Sequence, residues 1–140
     1  MTIDTAIQRI QTLALASSNH MKLAPDKPID NAGTLPMCIA HLGGGQFTAA
    51  NSTTNIFIPT IFVDFHFNRS WLKQAFTQID EIVPAFSNLL AGDPTLDGSR
   101  DTIVFPVTFE APTPVDFDGI QTLMVRFNVP VKSLETPVTY

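Results

Sequence analysis

The chain has 140 residues, with 8 Lys and Arg against 13 Asp and Glu, for a formal net charge of −5. That length fits one domain able to bury a core without disulfides, and a hydrophobic content of 44% excludes a disordered tail. The acidic balance excludes a surface built to grip nucleic acid, which needs a face rich in Lys and Arg.

Only 15% of the residues are charged, against about 25% in a typical soluble domain. The centres of subunit interfaces are depleted of charge, so the shortfall points to a surface that other subunits cover. The 11 Phe residues fit the same reading, as filler for a core and for interfaces.

Ile3, Ile7, Ile10 and Ala14, with Leu13 beside them, predict an amphipathic first helix. Thr2 or Asp4 can cap it, and it fades at Ser17-Ser18-Asn19. No basic region followed by an apolar core opens the chain, so no secretory leader is expected. Two prolines and a glycine make residues 20–33 a loop.

Leu35 to Leu42 reads as a short strand ended by Gly43-Gly44-Gly45, with residues 43–55 as a polar hairpin tip. Asn31 to Val63 contains no Asp, Glu, Lys or Arg, but the glycines and Asn51 to Asn55 interrupt it. A spanning helix needs about 20 mostly apolar residues in a row, so no membrane span is expected.

Asn55 to Phe67 is the second strand. Phe57, Ile61, Val63, Phe65 and Phe67 share one wholly apolar face; Ile58, Thr60, Phe62, Asp64 and His66 share the other. Ser70 then caps the strongest helix, whose stripe runs Leu72, Ala75, Phe76, Ile79, Ile82, Val83, Phe86, Leu89 and Leu90. Pro84 is expected to kink or divide it.

After a polar loop at 93–101, Ile103, Phe105, Val107 and Phe109 alternate with Val104, Pro106, Thr108 and Glu110 as a third strand. Residues 111–119, with Pro112, Pro114 and Gly119, read as a projecting connection. Ile120 to Val131 is the fourth strand, with Leu123, Val125, Phe127 and Val129 inward.

The expected order is α-β-β-α-β-β, an α+β fold with a single antiparallel sheet and helices packed on one face. It fills a single domain, 1–132, and leaves 133–140 as a C-terminal arm. Pro59, Pro106 and Pro130 fall in three of the four strands. At least one of them must mark a bulge or a strand end, because a proline cannot donate to a ladder.

Little in the chain speaks for catalysis. The single cysteine, Cys38, excludes an intramolecular disulfide and a Cys-based zinc site. It stands three residues from His41, so on a strand the two side chains point to opposite faces. The triple glycine is not followed by Gly-Lys-Ser or Gly-Lys-Thr, and no GxGxxG, HExxH, CxxC or nucleophile elbow occurs.

Asp64 and His66, two apart on one strand face, could present two metal ligands or a His with its orienting carboxylate. A working site would also need His41, Asp26 or Asp118 to converge on them. The plainer reading is a surface ion pair or hydrogen bond at a strand end. Asp116-Phe117-Asp118-Gly119 lacks the closing Glu of a calcium loop and reads as a turn. Trp71 and the Phe residues have no cationic groove beside which to stack bases. The expectation is a non-enzyme with no cofactor and no metal.

Several segments carry a resemblance. They are the helix with Ala6-Ile7-Gln8-Arg9-Ile10, the linker ending Gly33-Thr34-Leu35-Pro36-Met37-Cys38-Ile39, and the Gly-rich tip. They continue with Thr60-Ile61-Phe62-Val63-Asp64-Phe65-His66-Phe67 running into the helix Trp71 to Leu90, and with the closing Thr122-Leu123-Met124-Val125-Arg126-Phe127-Asn128-Val129. In this layout the first 132 residues or so resemble the tail terminator (tail-completion) proteins of long-tailed bacteriophages, the family that includes the terminator of phage lambda. The resemblance is one of pattern, without a residue-level motif.

It implies a virion structural protein at the neck end of the tail, assembled in the cytoplasm of the host bacterium. Such a protein forms a hexameric ring that caps the tail tube, stops its polymerisation and provides the surface for head–tail joining. The implied partners are other copies of the chain, the tail tube protein and the connector or neck proteins. Double-stranded DNA would pass through an acidic lumen without specific binding, since carboxylates repel phosphates.

On this reading Ile58, Phe62, Pro112 and Pro114 are expected at subunit or tube contacts, and Asp64 and Arg126 in rim ion pairs. The alternatives are another neck or head–tail connector protein, a plain dimeric adaptor, or a small metal- or ligand-binding enzyme domain. The last would use Asp64, His66 and the 43–51 loop.

Overall fold

The computed structural model describes residues 2–18, 21–23, 36–49, 55–70, 72–96, 102–117 and 120–135. Its elements are α1 (Thr2–Ala16), β1 (Lys22–Leu23), β2 (Met37–Ala49), β3 (Asn55–Asn68) and α2 (Leu72–Ala91). They are followed by β4 (Thr102–Ile103), β5 (Thr108–Phe109), β6 (Thr113–Phe117) and β7 (Ile120–Glu135). The fold is α+β. Its strands form one sheet in the order β1-β2-β3-β7-β4, with β5 and β6 also paired to β7. Every pairing is antiparallel except that of the two-residue β1, which runs parallel to β2.

The core follows from the two periodicities. Ile61, Val63, Phe65 and Phe67 of β3, and Leu123, Val125, Phe127, Val129 and Val131 of β7, are all buried. Cross-strand register places Cys38 and Ala40 of β2 beside Phe65 and Val63. Ala6, Ile10, Leu13 and Ala14 of α1 join the same cluster, as do Ala75, Ile79, Ile82, Phe86 and Leu90 of α2. Phe65, Phe86 and Phe127 meet edge to face with ring centroids 4.9–5.7 Å apart, a favoured geometry for aromatic quadrupoles.

The element order is richer than α-β-β-α-β-β. The expected third strand is two short pieces, β4 and β5, because Pro106 between them offers no N–H to a ladder. The segment expected to project, 111–119, instead lays β6 along β7, pairing Pro114 with Leu123 and Val115 with Thr122. β7 itself continues to Glu135, which pairs with Asn55, so 133–135 belong to the sheet and not to an arm. Residues 136–140 lie outside the described residues. α2 is one undivided helix across Pro84, which stands on its exposed side, where water can replace the missing hydrogen bond.

The triple glycine is not a hairpin tip. β2 runs through it, and the register with β3 jumps between Leu42–Ile61 and Gly45–Pro59, marking a bulge. Pro59 is therefore seated opposite a bulge, and Pro106 at a break, as proline in a sheet requires. Each glycine makes a different demand. A Cβ on Gly45 would lie 2.5 Å from the Pro59 Cα and 2.7 Å from the Ile58 carbonyl oxygen, whereas one on Gly44 would meet nothing within 4 Å. Gly45→Ala is expected to destabilise the fold by about 1–3 kcal/mol. Gly44→Ala is expected to leave stability unchanged or raise it by up to about 1 kcal/mol. Urea unfolding of the pair checks this; equal midpoints would show that the close approach at Gly45 is not constraining.

Candidate functional site

The most concentrated polar chemistry lies on the alternate residues of the central strands, opposite in parity to the core. The register sets Asp64 of β3 between Ile39 of β2 and Arg126 of β7. Arg126 forks onto the carboxylate, donating from Nε to Oδ1 at 2.7 Å and from Nη2 to Oδ2 at 3.0 Å. His41 Nε2 stands 2.9 Å from Oδ2. Burial alone would raise the Asp64 pKa, but the hydrogen bonds from Arg126 and His41 outweigh it and hold the carboxyl below its ordinary value. In turn the hydrogen bond to Asp64 raises the Arg126 pKa.

Phe62 completes the cluster. Its ring lies under the Arg126 guanidinium, 4.5 Å from centroid to Cζ, and meets the His41 ring edge-on at 5.7 Å. Gly43 makes room for it, since a Cβ there would fall 2.7 Å from the ring. The bulged glycines of β2 thus serve this cluster from one side and Pro59 from the other.

His66, two residues on, is buried, with Nδ1 2.8 Å from the Thr122 hydroxyl. Burial pushes its pKa down; the Asp64 charge opposes that, and the Arg126 charge adds to it. Folding therefore favours the neutral imidazole. Since the unfolded chain takes up the proton more readily, stability is fully present above about pH 6.5 and falls as the pH drops below it. Melting temperatures between pH 5 and 7.5 are expected to show this slope, and His66→Gln to flatten it. An unchanged slope in the variant would place the pH dependence elsewhere.

This geometry reassigns the residues singled out in the sequence. Asp64 and Arg126, expected as rim ion pairs, bind each other within one subunit. Asp64 and His66 do share a strand face, but both Asp64 oxygens are taken by Arg126 and His41. No group of three or more His, Cys, Asp or Glu suited to a metal occurs among the described residues; Asp26, Trp71 and Asp118 lie outside them. Zn²⁺, Mn²⁺ and Ni²⁺ are expected to leave the melting temperature unchanged, and a rise that His66→Ala removes would contradict this. Cys38 faces the core, and burial pushes its thiol up to about 12.

Of the expected interface positions, Ile58 is half-buried, Phe62 packs within its own subunit, and Pro112 and Pro114 are exposed on or beside β6. Among the described residues, cavities open elsewhere. One of about 530 Å³ is lined by Leu72, Lys73, Gln74 and Thr77 at the start of α2. The other, of about 390 Å³, is lined by Ser87, Leu90, Phe105, Pro106, Val107 and Phe109. Neither includes Asp64 or His66.

Among the described residues, the large apolar side chains left in solvent are Leu42, Leu72, Phe76, Val104, Phe105 and Phe109. Sequence reasoning set Phe105 and Phe109 on one face of a continuous third strand. The signal against that was Pro106 between them, which breaks the strand and with it the alternation. No protein-family model matches the chain, and no curated protein sequence matches it.

Proposed function

We propose that this chain is a structural protein of a long-tailed bacteriophage virion, the tail terminator. It assembles into a ring on the last layer of the tail tube, stops further addition of tube subunits and offers its other face for head–tail joining. The observation that carries this reading is that, among the described residues, six large apolar side chains are exposed on a chain with only 15% charged residues. Its central polar cluster, meanwhile, is satisfied by its own hydrogen bonds. Such a surface calls for protein partners, and within the cluster both oxygens of the Asp64 carboxylate are engaged by Arg126 and His41. Both helices would pack on the core face of the sheet, leaving the Asp64 face toward the lumen or the tube.

Termination follows from asymmetry. A ring that matches the tube on one face and presents a different face opposite gives the next tube subunit nothing to bind. The net charge of −5 suits a passage for DNA that must not stick. Adding the protein to growing tubes of the virion that encodes it tests this. Growth is expected to halt with the protein at one tube end; tubes that lengthen unchecked contradict the reading.

A further inference from the structure

We infer that Gln11 of α1 is a guard on the open edge of the sheet, closing β2 to the addition of an extended strand from another chain. This inference does not rest on the ring reading. β1 covers only Met37 and Cys38, and among the described residues no strand pairs with that side of β2 from Ile39 to Ala49. An edge of this kind presents unpaired N–H and C=O groups, which template a further strand unless proline, lysine, a bulge or a cover blunts them.

The two edges of the sheet are treated differently. The one beyond β7 is broken into β4, β5 and β6, with Pro106, Pro112 and Pro114 along it. Ile39 to Ala49 holds no proline and no Asp, Glu, Lys or Arg. The bulge between Leu42 and Gly45 interrupts its regular geometry. That leaves Ile39 to Leu42, between the end of β1 and the bulge, as the regular stretch in need of a cover.

The cover comes from α1. Gln11 Oε1 accepts a hydrogen bond from the Ala40 N–H at 2.7 Å. Successive N–H groups of a strand point to opposite sides, and this one, bonded to a helix side chain, points away from β3. Gln11 therefore stands just past the last pair of β1, Leu23 with Cys38, where a strand lengthening that row would set its own carbonyl. An added strand must first break this bond, and its net gain falls accordingly.

The residue type fits the post. Ile7, Gln11 and Leu15 recur at four-residue spacing along one flank of α1, all half-buried, and Ile7 and Leu15 pack against the core. In that otherwise apolar row, glutamine supplies the acceptor that the Ala40 N–H needs; leucine would fill the space and leave the N–H bare. Leu42, the next residue of the same parity as Ala40, is 50% exposed and adds apolar area for an incoming strand to cover.

The test removes the acceptor and keeps the bulk. Full-length Gln11→Leu is incubated at neutral pH beside the unaltered chain and Gln11→Glu, which retains an acceptor oxygen. Thioflavin T fluorescence and low-speed sedimentation report added strands, and amide hydrogen exchange reports the Ala40 N–H. Gln11→Leu is expected to form thioflavin-positive sediment, with Ala40 exchanging about tenfold faster while still soluble. The other two proteins are expected to stay soluble with Ala40 protected. Adding Leu42→Lys to Gln11→Leu is expected to abolish the sediment by charging the edge. Since that lysine moves the net charge of −5 toward zero, a general gain in solubility does not explain the rescue. Circular dichroism confirms folding, and Gln11→Ala replaces Gln11→Leu if the latter fails it. The inference is overturned if the folded variant stays as soluble as the unaltered chain, if Ala40 exchange is unchanged, or if Leu42→Lys leaves the sediment in place. Rings of the unaltered chain remain in the soluble fraction, so the ring reading and this inference fail separately.

Discussion

Phe127→Ala is expected to lower the unfolding free energy by about 3–5 kcal/mol, the range for truncating a fully buried aromatic side chain. Phe127 is 1% exposed and stands where the sheet meets α2. Its ring contacts Phe65 at 5.7 Å, Phe86 at 4.9 Å and, toward the edge, Phe109 at 5.3 Å. Removing it opens a cavity between rigid strands, where neighbours relax little. Urea unfolding measures the loss, with an unchanged slope showing that the unfolded state is unaffected. A loss below about 1 kcal/mol would mean that the core collapses around the gap.

Arg126→Ala is expected to cost about 2–4 kcal/mol, by leaving the Asp64 carboxylate buried without its forked partner. The range is set below that of a fully enclosed pair because the Arg126 side chain is 30% exposed and solvent screens part of the interaction. The loss should lessen as the pH falls toward the range in which Asp64 protonates, since a neutral carboxyl is cheaper to bury. Asp64→Leu with Arg126→Met is expected to recover most of the stability, because an apolar pair of similar size needs no ionic partner. A double variant as unstable as Arg126→Ala would show that the cluster contributes more than mutual neutralisation. Phe62 and His41 are the residues to examine then, since both pack on the pair.

Where local periodicity decides the outcome, the sequence was legible. The two faces of β3 separate by alternation alone, and the buried positions of α2 recur at helical spacing through Ala75, Ile79, Ile82, Phe86 and Leu90. Where the outcome depends on pairing across long separations, it was not. Asp64 and Arg126 lie 62 residues apart, and only the β3–β7 register makes them partners.

Glycine and proline misled for a related reason. Gly43-Gly44-Gly45 has the composition of a turn but lies in a strand, because Pro59 opposite needs a bulge to face. Pro112 and Pro114 have the composition of a loop, yet they fall on an outer edge where β6 can pair through its other residues. Pro106 divides what alternation alone reads as one strand, and Phe105 and Phe109 on either side of the break are both exposed.

The low charge content connects these points. On the proposed reading, few charged residues and aromatic side chains left exposed at a broken sheet edge mark a surface that partners cover. The mass of the purified protein in solution, taken together with negative-stain images of the same sample, tests this most directly. The account predicts a particle of about 92 kDa, six copies of a 15.3 kDa chain in a closed cyclic assembly, with a central hole. A compact dimer without a hole would contradict it.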